Sequence, residues 1–355
     1  MKLTRSSSVL LDLIRGVSAQ FVVIGHLFSF YNIFSLGQHE NRFLIQNFGV
    51  VIFFILSGFL IAYSVDSKAE KEVYTFRHFF IDRFSRIFIA YVPALFIIAL
   101  IDLLAYKISG STAYADAQNV PTFIGNVFML QNFPIQNILR KIFNYKTYIT
   151  SFGSARPLWT VAVEWWIYLF FGFVYFKRIT YKNVIFLLPL LIVPLFNVGG
   201  GSNGLSILWF LSLFSFYFLK KNPIKRNYLV LIIVSLAASG ISLLFNKFNA
   251  YDLTFSIPVM MTLFFVLSYL QTQVKPGYFF SRIQKLASTL SAFSFSLYLL
   301  HYSIIELVRS MNLKWNVFVE TGLLFVLCNV VSWAFAKTTE YRYRQFRAYL
   351  TKRLL

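Results

Sequence analysis

The sequence predicts an all-α fold: a polytopic transmembrane helical bundle of about ten helices, with both termini cytoplasmic. Three features point to it. Hydrophobic residues make up 58% of the 355 and charged residues 13%, with a mean hydropathy of +0.65, a balance foreign to soluble domains of this length. Stretches long enough to cross a bilayer, about 20 mostly apolar residues each, recur along the whole chain. Basic residues gather in alternate connections between those stretches, the pattern that marks cytoplasmic loops.

The apolar stretches run near 9–30, 46–65, 86–106, 157–176, 183–198, 204–219, 227–245, 253–271, 288–309 and 317–336. The first resembles a secretory signal in its basic start, but it has no small-residue cleavage site and carries Arg15 and His26, so it is predicted to be a retained span. The second connection holds Lys68, Lys71, Arg77 and Arg83. Later cytoplasmic connections hold Lys177, Arg178 and Lys182, then Lys220, Lys221, Lys225 and Arg226, then Lys275, Arg282 and Lys285. The opposite connections are poor in charge: Arg42 alone, none at 199–203, Lys247 alone, then Lys314.

The exception is 107–156, a long loop whose basic residues count weakly in this rule and which is placed outside the cytoplasm. Its Tyr114, Phe123, Phe128, Phe133, Ile138 and Tyr148 supply apolar surface for short helices lying on the mouth of the bundle, as a lid would. The segment 337–355, with Lys337, Arg342, Arg344, Arg347, Lys352 and Arg353, is predicted to be a basic cytoplasmic tail able to touch anionic lipid. Most of the net charge of +20 is therefore orientation, and no nucleic-acid partner is expected. Pro189, Pro194 and Pro258 fall inside apolar runs as kink points. Cys328 is the only cysteine, which leaves neither a disulfide nor a thiolate metal cluster; no metal is expected. The whole of 1–355 reads as a single transmembrane domain with no appended soluble domain.

Chemistry has to come from polar residues where lipid makes them costly, about 3 kcal/mol or more for an ionisable group near the bilayer centre. Arg15 and His26 are eleven residues apart. At about 100° and 1.5 Å per residue they share one helix face and are separated by roughly 16 Å along the axis. Either this face joins a cationic inner end to a titratable outer end, or Arg15 snorkels beside Asp12 and His26 bonds a neighbouring helix. The second span contains Ser57-Gly58, small residues that let another backbone approach. Arg83 and Arg86 stand one turn apart on a helix entering the membrane, either as a positive-inside anchor or as guanidiniums suited to phosphate oxygens. The fourth span opens Trp159-Thr160 and places Glu164 below the outer surface, where an unpaired carboxyl would be neutral or functional. The ninth carries Ser294, Ser296 and Tyr298 and ends in His301, which either makes a structural hydrogen bond or serves the site.

In order along the chain, Arg15 followed by His26, the run FFILSGFL, Arg83-x-x-Arg86, and Trp159 with Glu164 five residues on resemble the membrane acyltransferase 3 family, which includes O-antigen and exopolysaccharide O-acetyltransferases. The likeness covers nearly the whole chain. It departs at Ile89, where the family often has proline, and at Thr160, where it often has serine. Many relatives carry an extracytoplasmic hydrolase-like domain after the last helix; none is expected here.

The resemblance implies a bacterial inner-membrane O-acyltransferase that takes an acyl group, acetyl by family frequency, from acyl-CoA in the cytoplasm to a hydroxyl of a cell-surface or lipid-linked glycan. It casts His26 as the essential histidine, Arg83 and Arg86 as acyl-CoA contacts, and Arg15 and Glu164 as supporting residues, Arg15 with the arginine pair at the donor's phosphates and Glu164 with His26 in catalysis. An extended pantetheine arm is comparable in length to the Arg15–His26 separation. His26 then acts either as general base toward the acceptor hydroxyl or as an acylated relay, with Glu164 orienting it. Trp159, Thr160, Ser57 and His301 are secondary candidates for substrate contacts. The competing reading is a transporter or flippase for a lipid-linked glycan, with the same polar residues lining a passage; no two equivalent halves are visible, as many transporters would show, and that reading leaves the arginine pair without a purpose. A purely structural subunit leaves the intramembrane charges unexplained.

Overall fold

The computed structural model describes residues 3–33, 44–69, 73–136, 148–185, 187–188, 190–192, 204–221, 227–245, 249–272 and 278–355, and every regular element among them is helical. The helices are α1 (Arg5–Phe30), α2 (Ile45–Ala69), α3 (Phe76–Ser109), α4 (Val120–Val127), α5 (Leu158–Tyr175), α6 (Leu205–Lys221), α7 (Tyr228–Phe245), α8 (Leu253–Thr272), α9 (Tyr278–Ala292), α10 (Ser294–Ser310), α11 (Val317–Thr338) and α12 (Tyr343–Leu354). Among the described residues seven helices are long and apolar enough to cross a membrane, or eight if α9 and α10 count as one span. This is an all-helical, multi-pass membrane fold. The fifth expected stretch is described only to residue 192, and its described residues from 184 are helical. The rest of it lies outside the described residues, with Arg42, Lys71, Ile138, Pro189, Pro194, Lys225, Arg226, Lys247 and Lys275.

The ninth stretch corrects an expectation. Instead of one helix over 288–309 there are two, interrupted at Phe293. At the break Ser291 Oγ donates to Ser288 O at 3.3 Å and Ser294 Oγ to Ser291 O at 2.9 Å, side-chain bonds of a kind that bends helices. A new helix must then satisfy its own first-turn N–H groups. One of them, Ser296 N–H, finds the Glu340 carboxylate at 3.0 Å, an anion where the helix dipole favours one. The third stretch also starts earlier than its apolar run: α3 is 34 residues, about 50 Å long, against a hydrocarbon core of about 30 Å. Its charged first turns are helix all the same.

The chain divides into two compact units, Met1–Tyr74 with Asn197–Ser294, and Thr75–Phe196 with Phe295–Leu355. In unit 1, α1 packs on α2, α8 and α9, and α2 on α6 and α8, while α7 lies on α8. Lipid tails are as apolar as leucine, so close packing and hydrogen bonds hold such helices together. Gly58 shows the first of these: a Cβ there would run into the Trp209 carbonyl of α6. The second is beside it, with Trp209 Nε1 donating to Ser57 Oγ at 2.9 Å and Ser212 Oγ to Ile55 O at 2.5 Å. Phe59 then meets Phe216 and Phe264, each at 5.4 Å between ring centroids.

In unit 2, α3 and α5 are joined by aromatic rings. Phe80, Phe84 and Phe88 recur every four residues and so form one stripe; Trp165 of α5 meets them at 5.8, 6.3 and 5.0 Å. Gly110, at φ +66°, ends α3 in the left-handed conformation that glycine adopts without penalty. The segment that follows returns to its own unit. Tyr91 of α3 donates to Asn126 O at 3.1 Å, Gln131 Nε2 to Tyr91 Oη at 2.8 Å and to Leu158 O at 3.0 Å, and Trp166 Nε1 to Met129 O at 2.7 Å. Asn126, Met129 and Gln131 are all buried. Tyr114, further out, donates to Glu306 at 2.6 Å; burial, with this carboxylate beside it, pushes its phenol well above the ordinary range. The described part of 107–156 is thus an anchored cap with α4 in it.

Candidate active site

α1 is unbroken from Arg5 to Phe30, so the helical arithmetic for Arg15 and His26 holds: both lie on nearly one face, and both are half-buried. Gly16 and Gly25, next to them in sequence, are where α1 is approached by Leu290 of α9 and Gln46 of α2. Arg15 Nη1 stands 3.4 Å from Asp12 Oδ1. The His26 ring is 6.2 Å from that of Phe30. Ser57 accepts from Trp209, as above. These residues belong to unit 1.

Unit 2 holds the others. Arg83 and Arg86 occupy the second and third turns of α3 and are half-buried. Arg83 lies over the Phe79 ring, 5.8 Å from guanidinium carbon to centroid, and its Nε is buried with no hydrogen-bond partner among the described residues. Arg86 Nη2 is 3.4 Å from Glu340 Oε1, and its guanidinium carbon is 4.9 Å from the centre of the Tyr343 ring. Glu340 is 2% exposed and accepts on its other oxygen from Ser296, from N–H at 3.0 Å and from Oγ at 2.9 Å. Asp82, next to Arg83 and itself buried, forms an ion pair with Arg347 of α12. Phe346 adds a ring contact to Phe84 at 6.4 Å. Within the segment read as a basic tail, Lys337 and Thr338 end α11, Glu340 is buried, and α12 packs on α3.

Deeper in unit 2, Glu164 is half-buried and accepts from Tyr168 Oη one turn along α5 at 2.5 Å, so this carboxyl has a partner. Thr160 Oγ1 is 2.5 Å from Tyr298 Oη, and both hydroxyls reach the Pro157 carbonyl, at 2.9 and 3.2 Å. Trp159 is half-buried beside them in sequence. His301 is fully buried; its Nδ1 is 3.0 Å from both the Leu297 and Tyr298 carbonyl oxygens. A carbonyl can only accept, so Nδ1 carries a proton. Cys328 Sγ lies 3.7 Å from the His301 carbonyl. Among the described residues no group of three or more His, Cys, Asp or Glu could hold a metal.

The structure thus gathers Arg86 with Glu340 and Ser296, and Thr160 with Tyr298, while Arg15 and His26 are placed within unit 1. Sequence reasoning missed Glu340 and Asp82, and it singled out Tyr298 without its partner Thr160. Glu340 is flanked by Lys337, Arg342 and Arg344, so a count of charges reads it as part of a basic tail. Asp82 had one signal, its place directly before the arginine pair.

Half-buried charges on long apolar helices in both units define a multi-pass membrane protein whose polar groups are built in. The chain belongs to the acyltransferase 3 family: the family model described as an acyltransferase domain matches residues 9–337, from the first turns of α1 to the end of α11. No curated protein and no solved structure matches the chain.

Proposed function

We propose that the protein is an O-acyltransferase of the bacterial cytoplasmic membrane that moves an acyl group, acetyl first of all, from acyl-CoA to a hydroxyl of a cell-surface or lipid-linked glycan. The observation that carries this reading is the acyltransferase family match over residues 9–337, which encloses Arg15, His26, Arg83, Arg86 and Glu164. In this reaction the acceptor oxygen attacks the thioester carbonyl, the carbon–sulfur bond breaks, and coenzyme A leaves. His26 takes the acceptor's proton and returns it to the departing thiolate, which requires neutral imidazole near pH 7. In the relay variant the imidazole is acylated first and the acceptor hydroxyl then displaces it. The donor's phosphates suit Arg83 and Arg86, whose planar guanidiniums present paired N–H donors. Their half-exposure on α3 supports this role. Trp159, Thr160, Ser57 and His301 are assigned to the acceptor side or its support.

The test is binding of acetyl-CoA to purified protein. Intact protein is expected to bind, and Arg83→Ala or Arg86→Ala to weaken binding about tenfold, as for loss of a charge-assisted hydrogen bond. Binding that neither substitution changes would remove the arginines from the donor site, and no binding at all would favour a transporter of lipid-linked glycan.

A further inference from the structure

Arg86 differs from Arg83 in being tied to another part of the fold. Its Nη2 meets Glu340 Oε1 at 3.4 Å, and the Tyr343 ring lies under its guanidinium. Glu340 is in turn fixed by two donors from the first turn of α10, Ser296 N–H and Oγ. The carboxylate is 2% exposed, whereas the Arg86 side chain is 35% exposed. A guanidinium has five N–H groups and no acceptor, and the Glu340 bond occupies one of them. A buried, rigidly held carboxylate behind a partly exposed guanidinium sets its plane and leaves its outer N–H edge for another anion. Orientation of this kind is what distinguishes a bidentate anion contact from a loose surface charge.

We propose that Glu340 is a positioning residue: held by the N-terminus of α10, it fixes the Arg86 guanidinium in the orientation that receives a phosphate of the acyl donor. The break at Phe293 serves this arrangement, because a helix continuous through residue 293 would have spent the Ser296 N–H on its own backbone. The inference rests on the reading of Arg86 as a donor contact.

The experiment measures KM for acetyl-CoA and kcat in membranes, normalised to protein abundance, for Glu340→Gln, Arg86→Ala and the double variant. Glutamine has one acceptor oxygen, so it can satisfy Ser296 or Arg86 but not both. Glu340→Gln is expected to raise KM for acetyl-CoA about tenfold with kcat little changed, and the double variant is expected to match Arg86→Ala alone. If Arg86→Ala raises KM while Glu340→Gln does not, or if the two effects multiply, the positioning role is overturned and the donor contact stands. If Arg86→Ala leaves KM unchanged, both are overturned. Should Glu340→Gln fail to accumulate, Ser296→Ala removes one of the two bonds to the carboxylate; it is expected to raise KM in the same direction by less, and an unchanged KM would overturn the proposal.

Discussion

The two ends of α3 handle charge in opposite ways. At the end that begins with Phe76, Arg83 and Arg86 are half-exposed cations, and the carboxylates near them, Asp82 and Glu340, are buried and each faces an arginine. At the other end a single carboxylate, Asp102, is 6% exposed and is met by a neutral donor, the Ser154 N–H at 2.9 Å, in a loop where Gly153 adopts φ +55° and has no room for a Cβ beside Asp102. Ser154 Oγ continues the connection to Ser303 of α10 at 2.6 Å. One end leaves its cations half-exposed; the other buries a carboxylate and fastens a loop with it. Under the proposed donor contact, exposure and sign together separate a binding role from a structural one, which neither does alone.

Substitutions at the two ends should therefore fail differently. The largest expected effect is at the structural end: Asp102→Ala leaves the buried Ser154 N–H without its acceptor, at a cost of about 2 kcal/mol, read as a lower unfolding temperature of the detergent-purified protein with acetyl-CoA affinity per folded molecule retained. At the arginine end Arg83→Ala, which removes a half-exposed cation lying over the Phe79 ring, should do the reverse, weakening acetyl-CoA binding about tenfold while the unfolding temperature moves little. Equal losses of stability from both would erase the distinction. Ser154→Ala, which removes only the hydroxyl bond to Ser303, should cost about 1 kcal/mol in the same thermal assay. Smallest is Tyr114→Phe, which deletes a half-buried phenol's bond to Glu306; about 0.5 kcal/mol is expected, with no change in donor affinity.

The spans were legible because bilayer thickness imposes a length and an apolarity that survive in the sequence, as for α1, α2, α5, α7 and α8. What escaped depends on groups distant in sequence or on local hydroxyl chemistry. Hydropathy is continuous across Phe293, so nothing in it announces the break; the start of the new helix is met at Ser296 N–H by Glu340, 44 residues away. The start of α3 was hidden because Arg77, Asp82, Arg83 and Arg86 lower the apolarity of turns that are nonetheless helical. Arg83 and Arg86 could be singled out by spacing, but the partner of Arg86 is 254 residues away and disguised by basic neighbours. The apolar residues of the described part of 107–156 were legible, while its anchors, Gln131 to Tyr91 and Trp166 to Met129, are tertiary pairings with no periodic signature.

If acyl transfer depends on His26, label from radiolabelled acetyl-CoA should reach surface glycan in membranes carrying the intact protein and not in membranes carrying His26→Ala. Labelled glycan is expected with the intact protein and none above background with His26→Ala at equal abundance. Equal labelling by the two would contradict the role of His26, and no labelling by either, with no acetyl-CoA bound, would contradict the proposed reaction itself.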